Sequence, residues 1–364
     1  MQQAVKTNKT LLVDGPASLQ IMSGRAETFG KSLKENQRVI VREGKRKPFY
    51  AIEPLVLNVL LGASAAASEV EGNTIPESWN KPVQMVRGLQ KKPIIVMVLG
   101  ASDVGKSSFC TYMLNKLLEG KENHNIAILD GDLGQSDIGP SATVSYSITN
   151  KPVTELGNLR FQNGFFVGVT SPVITVSKTV QALTCMMSEI NQKQPDCILI
   201  NTDGFISGDT ALNYKLTLIK ELKPDVVVGI QTKNELETIM SYLGGGGVIT
   251  VEPSSALSMR SLEKRKIIRE RTYAKYLKRS KLQCIPLSQI TVEPRNGVPK
   301  TIESNKGILV GLYGFGTKFL GIGVLRAINI SRRTLKIQTA VSTKPVRLVF
   351  GKVVLDRKLQ EIQA

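Results

Sequence analysis

Apolar and polar positions alternate in short stretches over the first sixty residues: TLLVDGPASLQIMSG (10–24), RVIVREGKRKPFYAIE (38–53) and PLVLNVLLGA (54–63). Each is broken by Gly, Pro or Asp, and a period of two between such breaks predicts antiparallel strands rather than helices. Residues 67–92 are mostly polar and carry Pro76 and Pro82, which predicts a linker or an exposed helix. At Pro93 the pattern changes. IIVMVLG (94–100) is a continuous apolar run ending in glycine, as a strand buried on both faces of a parallel sheet reads. Comparable runs follow at IAILD (126–130), CILIN (197–201), DVVVGI (225–230) and VITV (248–251). Amphipathic segments lie between them. In SSFCTYMLNKLLEG (107–120), Phe109, Met113 and Leu117 share a helical face and Gly120 supplies a stop. From about residue 285 short alternating runs return: GILVGLYG, KFLGIGVLRAINI, TLKIQTA and VRLVFGKVVLD.

The expected fold is therefore α/β: a central domain with a mostly parallel sheet, flanked by small N-terminal and C-terminal β-domains, and the sequence GASDVGKS at residues 100–107 makes the central one a P-loop NTPase domain. The boundaries fall at residues 1–90, 91–284 and 285–364, and ligands are expected beyond the carboxyl ends of the central strands.

Composition narrows the chemistry. No run approaches the roughly 18 uncharged apolar residues that a membrane-spanning helix needs, and the N-terminus lacks the apolar core of a secretory signal, so a cytoplasmic or nuclear protein is expected. Cys110, Cys185, Cys197 and Cys284 have no metal-ligand spacing and are expected to be buried thiols. His124, the single histidine, lies in the polar stretch KENHN, which argues against Ser-His-Asp and Cys-His catalysis. The 364 residues carry a net charge of +18, which favours a polyanionic partner such as nucleic acid.

Gly100-Ala101-Ser102-Asp103-Val104-Gly105-Lys106-Ser107, followed by Ser108, matches G-x-x-x-x-G-K-[ST] between a buried strand and a helix. In that context the backbone N–H groups wrap a phosphate, the helix N-terminus adds partial positive charge, Lys106 reaches the β- and γ-phosphates and Ser107 ligates Mg²⁺. The second apolar run leads into Asp130-Gly-Asp132-Leu-Gly134-Gln135-Ser-Asp137. Two carboxylates at i and i+2 beyond a strand end suit a metal contact and a general base, or an acidic turn capping the next helix. Asn201-Thr202-Asp203-Gly204-Phe205 places a hydroxyl, a glycine and an aromatic face at the next strand end, where the ring either stacks on a base or packs into the core. A basic helix is expected over 258–281. Residues 260–281 contain ten Lys or Arg against two acids, and Arg265 and Arg269 share a face as a lid over a triphosphate needs, or as a solvated basic helix presents.

These motifs, in this order, resemble the polynucleotide 5′-hydroxyl kinases related to the RNA kinases of tRNA splicing, mRNA 3′-end cleavage and ribosomal RNA maturation. GASDVGKS resembles that family's phosphate loop, DGDLGQSDIGP its Asp-x-Asp-x-Gly-Gln element, TDGF its clasp and RSLEKRKIIRE its Arg-x-x-x-Arg lid. The N-terminal LLVDGPASLQIMSG with GKRKPFYA, and the C-terminal VRLVFGKVVLD, resemble its two β-domains. The resemblance implies transfer of the γ-phosphate of ATP, with Mg²⁺, to the 5′-hydroxyl of RNA or DNA. It also implies Asp132 as base, Asp130 and Gln135 supporting metal or water, and Thr202 and Gly204 clasping the phosphate side. Arg265 and Arg269 would neutralise charge on the transferring group, and Thr170, Ser171 and Pro172 would receive the nucleic-acid end. Phe205 stands where the clasp usually has Trp, and Val173-Ile174-Thr175 where relatives often carry a small residue and His.

Three readings follow: an active kinase with a nucleic-acid substrate and RNA-processing protein partners, a catalytically reduced ATP-binding scaffold of an RNA-processing complex, or a P-loop ATPase or GTPase switch. Thr232-Lys233-Asn234-Glu235 ends in Glu where a guanine signature needs Asp, which disfavours GTP.

Overall fold

The computed structural model of the protein describes residues 1–362 except 122, 245–246, 294–305, 317 and 330. These residues divide into two compact units, the first comprising 1–128, 148–160 and 193–260, the second 129–147, 161–192 and 261 onward. The chain passes from the first unit to the second three times, within the strand Ile126–Asp130, between Arg160 and Phe161, and between Arg260 and Ser261.

In the first unit the alternating N-terminal stretches form two antiparallel sheets. One runs Gln2–Val5, Leu55–Leu61, Ala17–Ser23, Arg38–Val41, and the other Lys31–Leu33, Ala26–Thr28, Arg46–Ala51, Lys9–Asp14, Ala66–Glu71. Leu55, Leu57 and Val59 alternate inward from one strand, Leu11 and Val13 from another, and Phe49 and Val41 close the core between them. Period-two patterning thus becomes a two-sheet core. Lys47 is buried in this region, its ammonium donating to Ile40 O at 3.1 Å and Thr154 Oγ1 at 3.3 Å, with Glu155 3.4 Å away. Burial lowers its pKa to about 8, a shift that the Glu155 charge only partly offsets.

The expected linker is more structured than its composition predicts. Ala66–Glu71 is a strand, and Trp79 is fully buried ahead of the helix Asn80–Gly88. Its ring meets Phe109 and Tyr112 edge-on, and its Nε1 donates to Glu252 O at 2.8 Å. Burying the one tryptophan in the chain is what organises this segment.

The parallel runs form strands as expected. Cys197–Asn201, Ile94–Gly100, Val226–Ile230 and Val248–Val251 neighbour one another in that order, all parallel, with Val96 opposite both Leu199 and Val226. Between Ile94–Gly100 and Ile126–Asp130 lies the helix Lys106–Leu118, with Phe109, Met113 and Leu117 buried as its pattern predicts. Its far end is held by Asn115, whose Nδ2 donates to Phe29 O and Val153 O, and by the Lys116–Glu27 ion pair.

In the second unit, Thr143–Thr149 pairs antiparallel with Asn163–Phe166, and the helix Val176–Asn191 follows. The C-terminal sheet runs Lys281–Pro286, Thr334–Thr339, Phe319–Asn329, Ile308–Tyr313, Arg347–Leu355, Thr291–Glu293. It is antiparallel throughout except for its last pair.

Two expectations are corrected. The basic helix is Leu262–Tyr276 rather than 258–281: Ser261 caps it by accepting from Lys264 N, and at its far end Arg279 takes a left-handed φ of 62° just before the strand Lys281–Pro286. Of the four cysteines, Cys110 and Cys197 are buried, whereas Cys185 is half-buried and Cys284 exposed, on an edge strand. No helix among the described residues is long and apolar enough to cross a membrane.

Candidate functional site: a phosphate loop, an acidic loop and a basic helix

The phosphate loop joins the strand Ile94–Gly100 to the helix Lys106–Leu118. Gly105, the residue before the helix, has φ +97°, which glycine adopts at no steric cost. A Cβ on Gly100 would stand 2.7 Å from Ile230 O, so the loop leaves its strand only because residue 100 has no side chain. Lys106 is buried with its ammonium held by Gly100 O at 3.0 Å and Ala101 O at 2.7 Å. Ser107 Oγ accepts from Asn201 Nδ2 at 3.3 Å, which ties the hydroxyl to the adjacent strand end. Ser102, Val104 and Ser108 complete the loop and the first turn as the motif places them.

The segment Thr202–Phe205 lies against that loop. Thr202 Oγ1 donates to Val98 O at 2.7 Å, and a Cβ on Gly204 would stand 2.3 Å from Ser102 Oγ and 2.5 Å from Ser102 N. Gly204 is thus required for close approach of backbone to backbone. A buried network that sequence reasoning missed fixes this segment. Asp203 accepts from Lys215 Nζ at 3.0 Å, from Phe205 N at 2.9 Å and from Tyr214 OH at 2.7 Å, and Lys215 is wholly buried. Phe205 stacks on Tyr214, with centroids 6.4 Å apart and planes at 28°. The signal was present in the helix Asp209–Leu222: Lys215 occupies a position that the spacing of Ala211, Tyr214, Leu218 and Leu222 assigns to the buried face.

The second unit contains the acidic loop. Asp130 is fully buried, and its Oδ2 accepts from Ser136 Oγ and from the amides of Asp137 and Ile138. Burial, then the charges of Asp137 and Asp132, push its pKa up to about 7 against those amides. Asp132 is half-buried, and its Oδ1 accepts from Gly134 N at 3.0 Å and Gln135 N at 2.9 Å. Gln135 donates from Nε2 to Arg265 O at 3.2 Å, while its Oε1 is a buried acceptor with no hydrogen-bond partner among the described residues. The basic helix Leu262–Tyr276 is tied to this loop twice more, by Tyr276 OH donating to Ile138 O and by Ser141 N donating to Thr272 Oγ1.

The segment expected to receive a nucleic-acid end also meets the acidic loop, since a Cβ on Gly134 would stand 2.9 Å from Thr170 O. Thr170 and Ser171 are half-buried, Pro172 is buried, and Val173 and Ile174 are exposed. Asp132, Gln135, Arg265 and Thr170 are therefore brought together. Arg269 is turned elsewhere: its guanidinium is bidentate on Glu361, with Nε–Oε1 at 2.7 Å and Nη2–Oε2 at 2.6 Å. No sequence signal marked Glu361, which lies 92 residues further on.

A buried strand, a glycine-shaped loop, a buried lysine held by the loop's own carbonyls and a hydroxyl at a helix N-terminus define a P-loop nucleotide-binding protein. Residues 100–279 match the family model for the mRNA cleavage and polyadenylation factor CLP1 P-loop, and this segment belongs to that P-loop family. Among curated proteins it is similar to a polyribonucleotide 5′-hydroxyl-kinase of Methanocaldococcus jannaschii, at 24% identity over 79% of this chain and 94% of the relative. It is likewise similar to the polyribonucleotide 5′-hydroxyl-kinase of Pyrococcus furiosus, at 25% over 77% and 92%. Among solved structures, the wild-type Clp1p–Pcf11p complex contains a chain of the same fold, with TM-score 0.79, 12% identity and 97% of each chain covered.

The donor set fits a nucleotide polyphosphate with Mg²⁺. The phosphate loop offers amides, Lys106 and the Ser107 hydroxyl. No cluster of three or more His, Cys, Asp or Glu capable of holding a metal occurs among the described residues.

Proposed function

We propose that this protein is an ATP-dependent polynucleotide 5′-hydroxyl kinase, transferring the γ-phosphate of ATP to the 5′-hydroxyl of RNA and, as a second substrate, DNA. The observation that carries the reading is Asp132. Its carboxylate is half-buried, oriented by two amides, and set in a loop whose next polar side chain, Gln135, is bonded to the backbone of Arg265. That is the arrangement of a general base beside a charge-neutralising helix. The archaeal relatives, named for polyribonucleotide substrates, support RNA as the first choice.

In this reading Lys106, the loop amides of residues 100–108 and the Ser107 hydroxyl hold the triphosphate; Ser107 would hold Mg²⁺, Asp130 and Asp132 are the further carboxylates that the motif offers it, and the ion would supply charge neutralisation. Thr202 and Gly204 fix the phosphate-side wall. Asp132 orients the 5′-hydroxyl and takes its proton. Gln135 holds a water or metal-bound ligand, Arg265 balances charge on the phosphoryl group in flight, and Arg269 adds to it once its pair with Glu361 opens. Thr170, Ser171 and Pro172 seat the end of the strand, with Phe205 stacking a base. Most of the acceleration then comes from positioning and electrostatics.

The test is transfer of label from γ-labelled ATP, with Mg²⁺, to matched 5′-hydroxyl RNA and DNA oligonucleotides, with Lys106→Ala as blank. Label on RNA with the wild type alone is the expected result. Absence of label despite ATP binding would overturn the kinase reading and leave an ATP-binding scaffold.

A further inference from the structure

Asp103 is an anomaly within the phosphate loop. Its side chain is only 4% exposed, so a carboxylate is buried in the loop whose amides and lysine are built to take a polyanion. Its backbone is left-handed, with φ +64°, a conformation that Asp and Asn tolerate better than other side chains. Like charges in a water-poor site repel strongly, so an acid here opposes phosphate binding unless it is neutralised.

Arg260 provides that neutralisation. Its Nη1 lies 3.1 Å from Asp103 Oδ1, and its own backbone N–H donates to Asp103 Oδ2 at 3.1 Å. Its Nε donates to Gly44 O at 3.2 Å, in the turn between the N-terminal strands Arg38–Val41 and Arg46–Ala51. The segment leading to Arg260 is itself strapped down. Ser254 Oγ donates to Thr74 O at 2.8 Å, and Leu257 lies so close to Gly105 that a Cβ there would stand 3.3 Å from its Cδ2. Residues 254–260 therefore cross the phosphate loop and end on its acid. Arg260 is also the last residue of the first unit, two before the basic helix begins.

We propose that Arg260 is a positioning residue for nucleotide binding: by neutralising Asp103 and holding it to the Gly44 turn, it fixes the phosphate loop in its binding shape and removes a repulsion that grows with the number of phosphates. The inference rests on the reading that this loop binds ATP, and it adds a residue outside the loop motif, the clasp and the lid pair.

The test measures equilibrium binding of Mg-ATP, ADP and AMP to the full chain, together with thermal melting, for wild type, Arg260→Ala, Asp103→Asn and the double variant. Arg260→Ala is expected to weaken ATP binding about tenfold or more, ADP less and AMP least, because the guanidinium that offsets the buried Asp103 charge beside the phosphates is lost. Asp103→Asn keeps the left-handed residue and removes the charge, so the double variant should regain most of the affinity that Arg260→Ala loses. Asp103→Asn alone should weaken binding less than Arg260→Ala does. A lowered melting temperature with unchanged affinity would reduce the pair to a structural one and overturn the proposal. So would a double variant no better than Arg260→Ala, since Arg260 would then act independently of Asp103. Failure of the wild type to bind any of the three nucleotides would instead overturn the nucleotide reading itself, and the inference with it.

Discussion

Two carboxylates separated by one residue sit in opposite surroundings. Asp130 is fully buried and saturated at Oδ2 by a hydroxyl and two amides, which makes it the post around which the loop 130–138 is wound. Asp132 stands at the accessible side of the same loop with one oxygen fixed. On this basis Asp132→Asn should lower phosphoryl transfer by about 10²–10⁴-fold while ATP binding persists, as removal of a general base does. Single-turnover transfer measured alongside ATP titration checks it, and an Asp130→Asn variant that folds normally yet loses more transfer would exchange the two roles. The buried Lys215–Asp203 pair has a different consequence. Lys215→Met leaves a carboxylate without its cation in the core, at about 3–5 kcal/mol, and should lower the unfolding temperature in differential scanning calorimetry. Lys47 provides a residue-level pH effect. Its pKa is about 8 when folded against 10.5 ordinarily, so the unfolded chain binds more protons between those values and stability rises with pH across that window. Comparing urea unfolding of wild type and Lys47→Met at pH 7.5 and pH 10 should show a rise of up to about 3 kcal/mol that the variant lacks.

At the scale of elements, the basic helix is defined by what holds it. Ser261 caps one end, and Gln135, Ser141 and Ile138 are bonded along its length. Arg265→Ala should therefore lower turnover more than ATP affinity, and an effect on affinity alone, seen by comparing kcat with the ATP Kd, would make the helix a binding patch. Glu361→Ala would free the Arg269 guanidinium from its bidentate partner and should alter turnover without unfolding the helix. The limits of sequence reading are visible in these same elements. The phosphate loop, its strand and its helix were legible because their chemistry is local: eight consecutive residues carry the glycines, the lysine and the hydroxyl. The parallel strands were legible as apolar runs. The pair Thr143–Thr149 and Asn163–Phe166 was not, because its inward residues include Thr143, Ser145 and Ser147 and break the apolar pattern. Asp103–Arg260 and Arg269–Glu361 were invisible for another reason: 157 and 92 residues separate their members, and only the tertiary fold sets such pairs. Lys215 was half-legible, a charge on an apolar face, which in a folded protein demands an acid.

For the whole molecule, the charge surplus is concentrated, with residues 260–281 contributing +8 of the net +18. If the polyanionic partner is RNA, raising salt from about 50 to 200 mM should weaken its binding about tenfold or more, and a salt-insensitive affinity would remove RNA phosphates from the account. The division of the chain carries a further consequence, for synthesis. The strand that presents the phosphate loop, Ile94–Gly100, has as its two neighbours Cys197–Asn201 and Val226–Ile230, both made much later, and Arg260, which also reaches the loop, is made later still. A ribosome that has released residues 1–192 has thus produced an N-terminal β-region able to bury its own core and a phosphate loop whose strand has unmet hydrogen-bonding edges on both sides. A nascent chain at that point is competent to aggregate and incompetent to hold a nucleotide, and the last segment of the first unit, Lys193–Arg260, changes both properties together.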